Sequence, residues 1–230
     1  MNIVRIEPIS LVDWPGEIAS VIHVKGCNFK CSWCFNKEIV DFDMNGITNI
    51  GIKGVVASIP KQIHHVIITG GEPFAQNGII DFIHKLRAIG YKVGVHTNGS
   101  FPLKLDKVIY ALDYVAQDIK GYIDMYHKRG FCSAKDTTNV MNSLYVITDS
   151  TTPHEFRTTA FPGIKEKEIF GIANMLKILN ADAYYLQPYI PVNGENKRKY
   201  LSANDLKDIA QKISNTFEAS GHKTKVIARG

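Results

Sequence analysis

Apolar residues recur along this chain in two alternating rhythms. Short runs rich in β-branched and aromatic residues stand at positions 19–24, 65–69, 92–97, 114–119, 155–161, 183–188 and 224–228, the composition expected of buried strands. Between them apolar positions return at helical spacing. Over residues 79–89, Ile79, Phe82, Ile83 and Leu86 fall on one helical face, and Asp81, His84, Lys85 and Arg87 fall on the other. Residues 165–179 and 203–217 repeat that pattern. Strand-then-helix alternation predicts βα units on a parallel sheet, an α/β fold. Six or seven such units let the sheet curl into a full or partial barrel. The opening segment differs: I-S-L-V-D-W-P-G-E-I sets Pro15-Gly16 between two apolar runs, which reads as a turn inside an N-terminal hairpin.

Composition bounds the answer without deciding it. At 230 residues, 45% hydrophobic and 21% charged, the chain is expected to form a single domain spanning 1–230 with a substantial core. The net charge of +5 is mild, and its densest basic group, K-R-K at 197–199, reads as a solvated loop, not a nucleic-acid patch. No secretory leader and no membrane span are visible, so a cytoplasmic protein that engages neither nucleic acid nor membrane is expected.

Candidate chemistry concentrates in one short run, G-C-N-F-K-C-S-W-C-F-N, holding Cys27, Cys31 and Cys34. Three thiolates on one tight loop suit three corners of an iron–sulfur cluster. Structural zinc takes four ligands, usually as two close pairs, and no second pair exists. The remaining cysteine, Cys132, is distant in sequence and reads as a small buried residue. Crowded thiols in a chain of this length also argue against a disulfide framework. A four-iron cluster held by three cysteines leaves one iron open to a small molecule. The loop follows the first parallel strand directly, and in α/β barrels functional groups come from loops at the C-terminal ends of strands.

Polar residues gather at those same ends. Gly70-Gly71-Glu72-Pro73 follows the second run, Asn98-Gly99 the third, Asp118 and Lys120 the fourth; Arg157 lies in the fifth and Gln187 ends the sixth. Singly, each has a plain reading: a turn, a local ion pair, a satisfied interior arginine. Together they match a ligand that carries an ammonium, a carboxylate, a ribose and an adenine. Glu72 and Asp118 suit the cation or hydroxyls, Lys120 and Arg157 the carboxylate, and the Trp33 ring the adenine.

The cysteine loop resembles the signature of the radical S-adenosylmethionine (AdoMet) enzymes, with Trp33 as the aromatic residue before the third cysteine, and T-G-G-E-P resembles their AdoMet amino-group motif. S-L-V-D-W-P-G, H-T-N-G-S, D-Y-V-A-Q-D-I-K, E-F-R-T-T-A-F-P-G, Y-Y-L-Q-P and V-I-A-R-G follow the order found in activating proteins of glycyl-radical enzymes, closest to those of anaerobic ribonucleoside-triphosphate reductases. The resemblance implies a partial (β/α)6 radical-AdoMet barrel with the hairpin as an N-terminal extension. It implies a [4Fe–4S] cluster on Cys27, Cys31 and Cys34, and AdoMet held by Trp33, Phe35, Gly70, Gly71, Glu72, Asn98, Asp118, Lys120 and Arg157. No side-chain acid or base is implied. The implied partner is a glycyl-radical enzyme, with an electron donor such as flavodoxin or ferredoxin. Two positions depart from that pattern: His96 stands where activases often place a carboxylate for a monovalent cation, and Ile190 where some carry a histidine. The alternatives are a radical AdoMet enzyme acting on a small molecule, similar to 7-carboxy-7-deazaguanine synthase, and a non-catalytic iron–sulfur or zinc module.

Overall fold

The computed structural model describes residues 1–43, 50–191 and 200–229; the K-R-K group and Gly230 lie outside them. Among the described residues eight strands form one sheet in chain order: β1 (Ile3–Ser10), β2 (Ala19–Val24), β3 (His65–Gly70), β4 (Lys92–Thr97), β5 (Tyr114–Asp118), β6 (His154–Ala160), β7 (Ala183–Pro188) and β8 (Lys225–Ala228). β1 runs antiparallel to β2, and each later strand is parallel to its neighbour. The sheet order does not close β8 onto β1, so the architecture is a partial barrel. Among the described residues no helix is long and apolar enough to cross a membrane.

Period-two alternation divides the sheet into two faces. Ile22, Val24, Val66, Ile68, Val93, Val95, Val115, Phe156, Tyr184 and Leu186 join the main core beneath the helices. Those helices are α1 (Ile52–Ser58), α2 (Ile79–Ile89), α3 (Pro102–Asp106), α4 (Met125–Lys128), α5 (Ala134–Thr148), α6 (Glu166–Ile178) and α7 (Ala203–Ala219). In α2 the buried residues are Ile79, Phe82, Ile83 and Leu86, the face that the spacing predicts. Helix α5 is absent from the periodicity reading because its sequence is rich in Thr, Val and Asn, which weaken helix propensity. Its start is instead fixed by a capping box in which Ser133 and Asp136 satisfy each other's backbone N–H.

The other face of the sheet is filled from within. The connection between β1 and β2 is the expected hairpin turn, but it folds inward. Trp14 is 8% exposed and packs on Ala19, Val21, Ile67, Tyr114 and Ala116, all inner-face positions of β2, β3 and β5. Gly94 makes room for it: a Cβ there would lie 3.0 Å from Trp14 and 2.6 Å from Ile67. The D-W-P-G segment therefore plugs the lower interior and leaves the C-terminal end of the sheet open for a cavity.

Candidate active site

A cavity of about 580 Å³ opens at the C-terminal ends of the parallel strands, and it is lined by all twelve of the residues expected there. Cys27, Cys31, Cys34, Trp33 and Phe35 enter from the loop after β2, and Gly70, Gly71 and Glu72 from the end of β3. Asn98 follows β4, Asp118 ends β5, Lys120 lies two residues beyond it, and Arg157 comes from β6. Residues the sequence reading passed over also line it, among them Asp13, Thr97, Thr159, Tyr189 and Arg229. Thr97 and Arg229 carried the same strand-end signal as the others. Asp13 carried none, because its place depends on the inward fold of the hairpin.

The glycine pair answers to a backbone neighbour as well as to the cavity. Gly71 N–H donates to the Val24 carbonyl at 2.7 Å, and Glu72 N–H donates to the Gly26 carbonyl at 2.8 Å. A Cβ on Gly71 would fall on the Gly26 carbonyl group, and one on Gly70, where φ is +107°, would lie 2.7 Å from Val24 backbone atoms. The close approach that these glycines permit is thus to the cysteine-loop backbone. Glu72, 1% exposed, clamps the next strand end. Its Oε1 accepts from Phe74 N–H at 3.0 Å and from the Thr97 hydroxyl at 2.8 Å, and its Oε2 accepts from Asn98 N–H at 2.7 Å. Burial outweighs these donors and pushes the carboxyl up to about 7.

Asn98 in turn reaches the cysteine loop, with Nδ2 3.7 Å from Cys27 Sγ and 3.1 Å from Asn28 Oδ1. Burial first, and the Glu72 carboxylate next, push the Cys27 thiol up to about 12; burial pushes Cys31 up to about 11. Such thiols ionise only when positive charge arrives to hold them, as a coordinated metal does. Lys120 already acts in that direction on both. Among the described residues no three His, Cys, Asp or Glu side chains converge on a single metal point. A cluster does not require that, because its three ligands bind three separate irons. The donor set fits such a group: three thiols on one loop, a lysine whose charge acts on two of them, and a space large enough for a ligand beside them. Cys132 does not line the cavity. It is partly exposed where a buried residue was expected, and packs with Cys27 and Cys31 against Phe29, Tyr126 and Val140.

The same cavity is lined by a chain of charges. Register places Asp118 beside Arg157, and Arg157 Nε–H donates to Asp118 Oδ1 at 2.8 Å. Lys120 Nζ lies 3.4 Å from Asp118 Oδ2. Burial alone would raise Asp118, but Arg157 and then Lys120 hold it well below the usual carboxylate range. Burial would likewise lower Lys120, and Asp118 reverses that. His96 adjoins Arg157, with 3.3 Å between Nδ1 and Nη1, so the position that resembled a cation carboxylate instead meets a guanidinium. Ile190 is 66% exposed at the rim. Trp33 presents only part of its ring to the cavity, because Phe161 stacks on it at 3.8 Å.

The comparisons with known proteins agree with this geometry. The sequence profile of the Radical SAM superfamily matches residues 21–176. A Methanocaldococcus jannaschii protein provisionally named as a glycyl-radical enzyme activating enzyme is 29% identical over 191 residues, 80% of this chain and 78% of its own length. The 7-carboxy-7-deazaguanine synthase of Aquifex aeolicus is 32% identical over 80 residues, 34% of this chain and 35% of that one. Streptococcus suis SuiB bound to its precursor peptide SuiA superposes with a TM-score of 0.68 at 14% identity, over 91% of this chain and 48% of SuiB, a likeness of fold. With the profile covering most of the sheet and the whole cysteine loop, the chain belongs to the radical SAM superfamily, whose members use a [4Fe–4S] cluster and S-adenosylmethionine.

Proposed function

We propose that this radical SAM enzyme activates a glycyl-radical enzyme, in the first instance an anaerobic ribonucleoside-triphosphate reductase. The observation that carries the proposal is the breadth of the likeness to the M. jannaschii relative, which spans four fifths of this chain and nearly as much of that protein. When bound, the cluster and AdoMet supply reductive cleavage to methionine and a 5′-deoxyadenosyl radical, which takes a hydrogen from the partner's glycine; the electron comes from a flavodoxin or ferredoxin. The chain's own residues bind and orient. Cys27, Cys31 and Cys34 hold the cluster. Gly70 and Gly71, with the acceptor position of Glu72 left after its three donors, receive the amino group. Lys120 and Arg157, neutralised only in part by Asp118, receive the carboxylate, Asn98 steadies the ligand beside Cys27, and Trp33 and Phe35 flank the adenine. At the cavity mouth Val12, Phe35 and Ile190 are exposed, at 78%, 67% and 66%. That apolar rim supports a protein loop as the substrate.

A second reading rests on a specific observation: several relatives are 7-carboxy-7-deazaguanine synthases, one of them from Flavobacterium psychrophilum at 25% identity over 55% of this chain. One experiment separates the two. The protein is reconstituted anaerobically with iron and sulfide and reduced in the presence of AdoMet and a candidate reductase. 5′-Deoxyadenosine together with a glycyl doublet in the electron paramagnetic resonance spectrum is the expected result. 5′-Deoxyadenosine without a doublet on the reductase, but with turnover of a reduced carboxypterin, would establish the second reading instead.

A further inference from the structure

His96 is 5% exposed on the inner face of β4, and both of its ring nitrogens are engaged by groups whose hydrogen-bonding sense is fixed. Nε2 lies 2.9 Å from the Asp13 carbonyl oxygen, which only accepts, so Nε2 carries the proton. Nδ1 lies 3.3 Å from Arg157 Nη1, which only donates, and 3.8 Å from Asp13 Oδ1, outside hydrogen-bond reach, so Nδ1 is the acceptor. One neutral tautomer satisfies both neighbours. Burial and the adjoining guanidinium hold the imidazole well below its ordinary value, in keeping with that state. Asp118 takes Arg157 Nε–H and His96 faces Nη1; neither contact uses Nη2, and the side chain lines the cavity.

We propose that His96 is a positioning residue, fixed by the hairpin carbonyl of Asp13, that aims the free edge of Arg157 at the carboxylate of the bound ligand. Two bonds on adjacent nitrogens, to Asp118 and to His96, leave a planar guanidinium no rotation about its axis. The inward-folded hairpin thereby has a second task besides filling the barrel: its carbonyl selects the imidazole tautomer. This inference rests on the assignment of Arg157 to the carboxylate made above.

The test compares AdoMet with decarboxylated AdoMet by titration calorimetry on anaerobically reconstituted protein, with iron content checked for each variant. His96→Leu is expected to raise the Kd for AdoMet about tenfold, the scale of a weakened charge-assisted hydrogen bond, and to leave the Kd for the decarboxylated ligand unchanged. His96→Asn, whose Oδ1 can accept near the Nδ1 position, is expected to recover most of the loss. A merely structural role would weaken both ligands alike, and that result, or an unchanged AdoMet Kd, overturns the proposal. If His96→Leu does not fold, the smaller His96→Ala is read by the same ratio. Arg157→Gln separates the layers. If it keeps the wild-type preference for AdoMet, the site assignment itself falls; if it abolishes the preference while His96→Leu keeps it, only the positioning role falls.

Discussion

Trp33 and Phe161 lie face to face, with ring centroids 3.8 Å apart and planes 9° from parallel. The pair joins the cysteine loop to the end of β6, and Phe131 meets both rings edge-on, at 4.4 and 5.9 Å. Arg129, held by Glu168 at 2.8 Å, lies 5.2 Å from the Phe161 ring. Phe161 is thus the hub through which the core fixes Trp33, one of the two loop aromatics assigned to the adenine. Phe161→Ala is expected to cost about 3–5 kcal/mol of stability, since the ring is buried and its loss leaves a cavity. Phe161→Leu should cost less, yet loosen Trp33 and weaken AdoMet binding. Urea unfolding and ligand titration on both variants check this; full affinity in a stable Phe161→Leu would remove the stack from the site.

How much of this was legible beforehand follows from the range of each interaction. Strand and helix positions rest on local periodicity, and α2 fell where the spacing of Ile79, Phe82, Ile83 and Leu86 put it. The strand-end residues were legible because a parallel sheet brings all its C-terminal ends to one side. Phe161, Asp13 and Trp14 were not. Their roles depend on contacts with residues far away in the chain, and a Phe, an Asp or a Trp in a loop announces no partner. Glu72 shows the same limit from the other side. Its presence in the cavity was readable, but its three donors were not, and they make it a clamp between strands.

The thiols separate by role. Cys31→Ala is expected to abolish cluster assembly, measured as loss of iron and of the broad visible absorption after reconstitution, because two thiolates cannot replace three. Cys132→Ser should keep the full iron content, since Cys132 packs behind the loop and stays outside the cavity. Loss of a cluster's worth of iron in Cys132→Ser would make it a ligand and overturn that division.

Glu72 gives stability an unusual pH dependence. Its folded-state value of about 7 lies above the ordinary 4.5, so between those two values the native state holds a proton that the unfolded chain has released. This contribution to stability is fully present below about 4.5 and is lost as pH rises towards 7, the opposite of an ion-paired carboxylate. His96, depressed in the fold, works the other way below about 6.5, so the comparison must be between variants. In Glu72→Gln the falling limb should disappear. The amide would also set a donor against Asn98 N–H, at a cost of about 1–3 kcal/mol. Denaturant midpoints of the metal-free proteins at pH 5, 6, 7 and 8 read both effects; parallel pH profiles for the two proteins would refute the buried-acid account.

Lys120 stands between the two halves of the cavity. It pairs with Asp118 at 3.4 Å, and after burial it is the largest influence on Cys31, drawing that thiol's pKa down and so favouring the thiolate. Replacing it with a neutral chain of similar reach should therefore act twice. Lys120→Met is expected to weaken AdoMet binding through the lost carboxylate partner, by about tenfold on the scale of a charged hydrogen bond. It should also slow iodoacetamide alkylation of Cys31 in the metal-free protein at a fixed pH near 9, followed peptide by peptide by mass spectrometry, because less thiolate is present. Iron content after reconstitution should be retained, because coordination supplies far more positive charge than one ammonium group. Slower alkylation with unchanged AdoMet affinity would assign Lys120 to the cluster side alone. An unchanged alkylation rate would show that its charge does not reach the thiols, and the electrostatic link across the cavity would fall.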